Sequence, residues 1–238
     1  MLQTKCKYYL CYLLKNQTNM SGFLSSSIAR KFAMALSALF LIIFLIIHLT
    51  VNLTSVFSED VFNQLSHFMG TNPLIQFGLQ PVLIIGVIFH FVMGFVLEIR
   101  NKGARDVKYV NFKGAANSTW MSRNMVYSGL VILAFLVIHF IDFWLPEMNY
   151  KYIEGLPADS TRYYEELQHK FVPIWRVAAY SVAFVLLALH LLHGFQSAFQ
   201  SMGFNNKYSG FVKALGKWYS IIIPAGFIFV TLYHHFNH

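Results

Sequence analysis

Ala38-Leu-Phe-Leu-Ile-Ile-Phe-Leu-Ile-Ile-His48-Leu49 is an apolar run broken by a single imidazole. It lies inside residues 32–56, a stretch without one Asp, Glu, Lys or Arg. About twenty apolar residues in helical form cross roughly 30 Å of hydrocarbon. Four further stretches have that length and character: 74–97, 124–145, 174–200 and 218–236. The expected fold is all-α and integral to a membrane. It is a bundle of five transmembrane helices over residues 20–238, with short connections and no separate soluble domain.

Composition agrees. Of 238 residues, 56% are hydrophobic, only 12% are charged, 24 are Phe, and mean hydropathy is +0.51. Soluble domains run nearer one quarter charged, so the missing charge calls for a different solvent. Fourteen of the 18 basic residues fall on one side: before the first span (Lys5, Lys7, Lys15, Arg30, Lys31), between the second and third (Arg100 to Arg123), and between the fourth and fifth (Lys207, Lys213, Lys217). The opposite side carries Lys151, Arg162, Lys170 and Arg176 with most of the acids. The positive-inside rule then predicts a cytoplasmic N-terminus and a C-terminus outside. The +8 net charge is a topology signal, and no nucleic-acid partner is expected.

Residues 1–19 bracket a short apolar run with lysines, too short to span, and Met20 resembles an alternative start. They read as an interfacial or disordered extension, or a mis-assigned start. They also hold both cysteines, Cys6 and Cys11, so no Fe–S ligand set or covalent haem attachment motif is available.

Each of the first four spans carries a histidine past its midpoint: His48, His90, His139 and His190. A strongly polar group in hydrocarbon costs several kcal/mol unless it is paired or ligated. The four lie 17, 16, 16 and 14 residues beyond Lys31, Leu74, Arg123 and Arg176, roughly 21–26 Å into each helix at 1.5 Å per residue. Because consecutive spans run antiparallel, His48 and His139 reach the outer half, and His90 and His190 the cytoplasmic half. Two imidazole pairs at two levels suit two b-type haems, each held by two histidines. A lone intramembrane histidine more often just hydrogen-bonds a neighbouring helix; the shared depth pattern is what favours ligation. His193, one turn past His190, is a competing ligand or a packing residue. His67 and His169 fall in outer loops, and His234, His235 and His238 are read as solvated.

Small residues accompany the four. Gly94 and Gly194 each follow a histidine by four residues, on the same helix face, where a flat ring could approach the backbone. Ser37-Ala38 and Ser128-Gly129 hold matching offsets before His48 and His139, close to three whole turns lower. They would make room for the inner haem, although such pairs also serve close helix packing.

His48-Leu-Thr-Val-Asn52, the loop Phe62-Asn-Gln-Leu-Ser-His-Phe-Met69, Phe89-His90-x3-Gly94, and Leu189-His190-x3-Gly194 followed by Met202-Gly203 resemble the dihaem cytochrome b subunit of succinate dehydrogenase and fumarate reductase. The resemblance is to the single-polypeptide, five-helix type and runs from about Met20 to the end. It implies a proximal haem on His90 and His190 and a distal haem on His48 and His139. It implies a bacterial cytoplasmic (inner) membrane, a flavoprotein with FAD and an iron–sulfur subunit docked on the cytoplasmic face, and electron exchange with a quinone, expected to be menaquinone. Succinate oxidation in the tricarboxylic acid cycle, or its reverse, would occur on the partners, and a dimer of heterotrimers fits the same scheme. The family's quinone site lies near the distal haem and uses an acid; Glu59, Asp60 and His67 occupy the corresponding loop, with Asp142 close to His139. Arg30, Lys31 and Arg123 are candidates for the inner haem's propionates. The basic segments 100–113 and 207–217 could dock the iron–sulfur subunit or anionic lipid.

Two other classes remain open. The chain could anchor a hydrogenase or formate dehydrogenase; a bc-type cytochrome would need two ligands thirteen or fourteen residues apart on one helix, and none has that spacing. A transporter with intramembrane histidines would be expected to carry carboxylates in its spans and broken helices.

Overall fold

A computed structural model describes residues 26–103, 125–204 and 206–238. Among them the chain is helical, without a strand. Helix α1 (Ser27–Phe57) forms the first span. It starts at residue 27 rather than 32, because Arg30 and Lys31 are accommodated in its first turns at the membrane edge. Ser58, in extended conformation, stops it, and the Ser58 hydroxyl accepts from the Val61 N–H at 3.3 Å to cap α2 (Glu59–Thr71). Asn72 Oδ1 then accepts from the Leu74 N–H at 3.0 Å. Pro73 suits the start that follows, where a helix leaves its N–H groups unused. The second span opens in a π turn (Ile75–Leu79) and continues as α3 (Gln80–Gly103).

The third span begins with α4 (Met125–His139) and passes through a π turn (Phe140–Trp144), α5 (Leu145–Met148) and a second π turn (Asn149–Ile153). It thus outruns the expected end at 145. Pro146 removes one donor from the ladder, but the wide turns on either side keep the chain helical. Helix α6 (Arg162–Phe171) follows, then α7 (Ile174–Ser201). Met202-Gly203 is a helix stop: Gly203 takes φ +87°, and the Phe204 and Gly203 N–H groups donate to the Phe199 and Gln200 carbonyls, both at 3.1 Å. This is a Schellman closure, and the left-handed residue is the one that favours glycine. Helix α8 (Ser209–Phe236) starts nine residues before the expected 218, since Lys213 and Lys217 are carried in its early turns.

Among the described residues five helical spans are long and apolar enough to cross a membrane: Ser27–Phe57, Ile75–Asn101, Met125–Ile153, Ile174–Ser201 and Ser209–Phe236. The protein is a multi-pass, all-α membrane protein. The end of the bundle where α1 starts is the N-side here, and the end where α8 finishes is the C-side. Lipid-facing stripes such as Ile43 and Ile47 on α1, or Ile85, Ile88 and Val92 on α3, are exposed at helical spacing.

Helix α1 packs on α3 and α7; α4 packs on α7 and more thinly on α3. The first four spans thus form a square, with α1 opposite α4 and α3 opposite α7. Helix α8 lies outside it, against α7 and α1, and two glycines let it close in. A Cβ on Gly216 would meet the Phe195 ring at 2.6 Å, and one on Gly226 would meet Leu49 at 2.8 Å. The larger apolar core is at the C-side, where Leu49, Phe62, Phe171, Tyr180, Phe184 and Phe227 join α1, α2, α6, α7 and α8. The N-side core reduces to Ile42, Leu191 and Phe195 with their neighbours.

Candidate functional site

The four histidines meet across the diagonals of the square. His48 on α1 faces His139 on α4, ring centroids 5.7 Å apart and planes at 88°. His90 on α3 faces His190 on α7 at 6.5 Å and 69°. All four rings, each half-buried, line one cavity of about 790 Å³. The two levels can be measured on α1 itself. Ser37, 11 residues before His48, contacts His90, so the pairs stand roughly 16 Å apart along the helix axis.

Serines, not bare space, adjoin the N-side pair. Ser37 Oγ lies 3.0 Å from His90 Nδ1, and Ser128 Oγ lies 3.1 Å from His190 Nδ1. Met34, Ser37 and His48 on α1 recur as Met125, Ser128 and His139 on α4, while His90-x3-Gly94 recurs as His190-x3-Gly194. The α1/α3 and α4/α7 pairs are two copies of one arrangement. The glycines were expected to clear a path for a flat ring. Gly194 does line the cavity, but Gly94 does not. Each instead receives a methionine methyl: a Cβ would meet Met34 Cε at 3.6 Å on Gly94 and Met125 Cε at 3.2 Å on Gly194. His193 is half-buried and lies off the cavity lining, which His190 occupies.

The C-side pair is set by aromatic rings. Phe44 stacks on His48 at 5.2 Å, and Phe135 and Phe143 flank His139 at 5.9 and 5.2 Å. His139 Nδ1 is buried without a hydrogen-bond partner among the described residues. The π turn after His139 carries Asp142 inward, where its carboxylate is 2% exposed. It accepts from the Tyr180 hydroxyl at 2.9 Å and pairs with Arg176 at 3.1 Å, fastening the third span to the fourth.

Beyond it, Glu147 lines the C-side end of the cavity together with Trp144, Asn52 and Gln80. Glu147 pairs with Lys151 and Arg162, and the Lys151 ammonium donates to the Gly70 carbonyl at 2.5 Å. Burial alone would lower the Arg162 pKa, but hydrogen bonds to Glu147 and Glu166 raise it above its ordinary value. Burial pushes the neighbouring Tyr163 hydroxyl up to about 12. Trp144 Nε1 is a buried donor with no partner among the described residues.

The acids singled out from the sequence lie elsewhere. Glu59 and Asp60 are exposed in the first turn of α2, where carboxylates complement a helix N-terminus. His67 is half-buried against the Tyr163 ring at 6.2 Å, and none of the three lines the cavity. His234, read as solvated, is 0% exposed: its Nε2 is 2.8 Å from Ser55 Oγ, and Tyr164 of α6 covers its ring. At the N-side, Lys31 lines the cavity mouth, Arg30 is buried in the first turn of α1, and Arg123 lies outside the described residues. So do residues 1–19 and most of the basic segment 100–113.

The paired imidazoles have the donor chemistry and spacing that two haem irons, each held by two histidines, would need. With His–metal bonds of about 2 Å, two imidazoles sharing one ion have centroids about 6 Å apart, which 5.7 and 6.5 Å bracket. The cavity volume lies towards the large end of the roughly 300–1,000 Å³ typical of ligand pockets, and its walls are mostly apolar. No protein-family model matches this sequence, and comparison with curated proteins and with solved structures finds no similar chain.

Proposed function

We propose that this chain is the membrane anchor and electron-transfer subunit of a succinate:quinone oxidoreductase, in a bacterial cytoplasmic membrane with its N-side towards the cytoplasm. The observation that carries the reading is the diagonal pairing of four imidazoles in one apolar cavity, at two levels roughly 16 Å apart. Two b-type haems bound there would relay single electrons between an iron–sulfur partner on the N-side and a quinone on the C-side. His90 and His190 would hold the one nearer the partner, and His48 and His139 the one nearer the quinone. The partner subunits, not this chain, would carry FAD, the Fe–S clusters and the dicarboxylate site.

For the quinone, the C-side end of the cavity offers an acid and a donor without a partner among the described residues. Glu147 would exchange protons with the headgroup, and Trp144 Nε1 would donate to one of its carbonyls. Lys151 and Arg162 hold the Glu147 carboxylate in place. Glu147 therefore replaces Glu59, Asp60 and His67 as the residue assigned to this task. Arg162 and its Glu166 partner extend the ionic chain towards the C-side surface.

The test is a reduced-minus-oxidised spectrum of the purified protein with pyridine haemochrome quantitation. Two protohaems per chain are expected. Stoichiometric metal ions with no Soret band would turn the reading to a transporter.

A further inference from the structure

We infer that Ser37 and Ser128 are positioning residues that fix the tautomer of His90 and His190, so that each presents a bare Nε2 to the cavity. The inference rests on the haem reading above and adds to it the atom through which each N-side imidazole binds and the group that selects it.

Proton counting carries the argument. A serine hydroxyl has one proton and two lone pairs. Ser37 Oγ lies 2.8 Å from the Met34 carbonyl, three residues back on its own helix, and Ser128 Oγ lies 2.9 Å from the Met125 carbonyl. A carbonyl can only accept. The single hydroxyl proton must therefore lie on that line, or two oxygens would face each other at hydrogen-bond distance with nothing between them. The remaining contact, at 3.0 Å to His90 Nδ1 and 3.1 Å to His190 Nδ1, is then one in which the imidazole N–H donates to the serine. A neutral imidazole carries one N–H, so Nε2 in both rings holds the lone pair. A ligating histidine commonly has its other nitrogen fixed in this way, which sets ring orientation and raises its basicity. Here the acceptor comes from a different helix in each case, so forming the α1/α3 and α4/α7 contacts itself selects the ligating form.

His234 is the internal contrast. Ser55 Oγ donates to the Asn52 carbonyl at 2.6 Å by the same three-residue reach, but its imidazole contact, at 2.8 Å, is to Nε2. That ring has its proton on Nε2 and lies off the cavity lining. One serine device thus presents Nε2 in two histidines and withholds it in a third. At the C-side, no described side chain plays this part for His139, whose Nδ1 is unpartnered. The serine-held pair should be the more electron-rich of the two.

The experiment compares wild type with S37A, S128A, S37T and S128T, measuring haem per chain, the optical midpoint potential of each haem, and the low-temperature EPR g-values of the ferric protein. Wild type must first show two haems; if it shows none, the haem reading fails and the serine inference goes with it. Given two haems, each alanine variant should raise the potential of the N-side haem and change its g-values, with the C-side haem unmoved. Alternatively it should lose the N-side haem selectively, by about tenfold or more in affinity. A tenfold change in the ferric-over-ferrous preference corresponds to about 59 mV for one electron. Threonine, which keeps the hydroxyl, should restore wild-type values. Unchanged potentials and g-values in both alanine variants, equal shifts of both haems, or threonine variants as damaged as the alanine ones would each overturn the inference while leaving the haem reading intact.

Discussion

The two histidine levels of this bundle solve one problem in two ways. At the N-side, each imidazole has a hydroxyl on Nδ1 and a small apolar core around it. At the C-side, no described side chain hydrogen-bonds the rings, which are wedged by Phe44, Phe135 and Phe143 inside the larger core, beside a carboxylate and two π turns. π turns inside α-helices are frequent at functional sites, and the three among the described residues lie at the C-side. Hydrogen bonding fixes the level that would face a docked partner, where geometry must not drift. Packing fixes the level that would face a diffusing substrate, where the wall also carries chemistry.

The largest effect should come from the four histidines proposed as haem ligands. Replacing His90 or His190 with Ala should reduce haem from two to one per chain and remove the N-side haem's signal from a redox titration. Replacing His48 or His139 should remove the other. A variant at either level that kept both haems would break the pairing of ligands across the diagonals.

The next separates the ends by chemistry. Glu147→Gln should leave both haems in place and slow quinone-linked turnover about 100-fold, the low end of what a positioned proton-transfer group contributes. Glu59→Gln and Asp60→Asn should do little, because both side chains stand in solvent at the start of α2. Equal losses in all three would restore the loop acids as the quinone site.

Much of this was legible beforehand, for reasons that mark where legibility stops. Twenty apolar residues have few destinations, so the five spans are apparent. Antiparallel alternation then sorts His48 with His139 and His90 with His190 by depth alone. Span ends are harder to read: Pro146 and the charges of Arg30, Lys31, Lys213 and Lys217 suggest boundaries, yet wide turns and long aliphatic stems carry the helices through them. The serine offsets are visible as numbers, but their hydroxyl partners sit 53 and 62 residues away. His234 looks solvated because it lies near the chain end; the packing of Tyr164 on α6 and Ser55 on α1 against that end buries it. Glu147 resembles any interfacial acid until the π turns place it on the cavity wall.

Asp142 tests what holds the C-side together. Asp142→Ala leaves Arg176 without its partner and frees the Tyr180 hydroxyl. Breaking a buried pair costs about 3–5 kcal/mol, and Arg176 keeps 20% of its side chain exposed, so about 3 kcal/mol is expected. The double variant Asp142→Ala with Arg176→Met should recover part of this, since the unpaired charge is gone. Thermal unfolding in detergent measures both. A double variant less stable than the single one would show that the two side chains act through separate contacts.

The smallest effect sharpens the comparison most. Ser55→Ala removes the acceptor for His234 Nε2, and a buried donor left unsatisfied costs about 1–3 kcal/mol. Ser55 is 2% exposed and His234 0%, so water cannot easily replace the lost bond. The loss should appear as lower thermal stability, with both haem potentials unmoved, because His234 stands off the cavity. Ser37→Ala breaks a contact of the same residue types, and there the potential of the N-side haem should move. Two serine–histidine pairs of similar geometry, one read out in stability and the other in redox potential, would show that what such a pair does depends on which nitrogen it leaves bare. Should Ser55→Ala shift a haem potential as far as Ser37→Ala, that distinction fails, and the serines act only through the packing of α1.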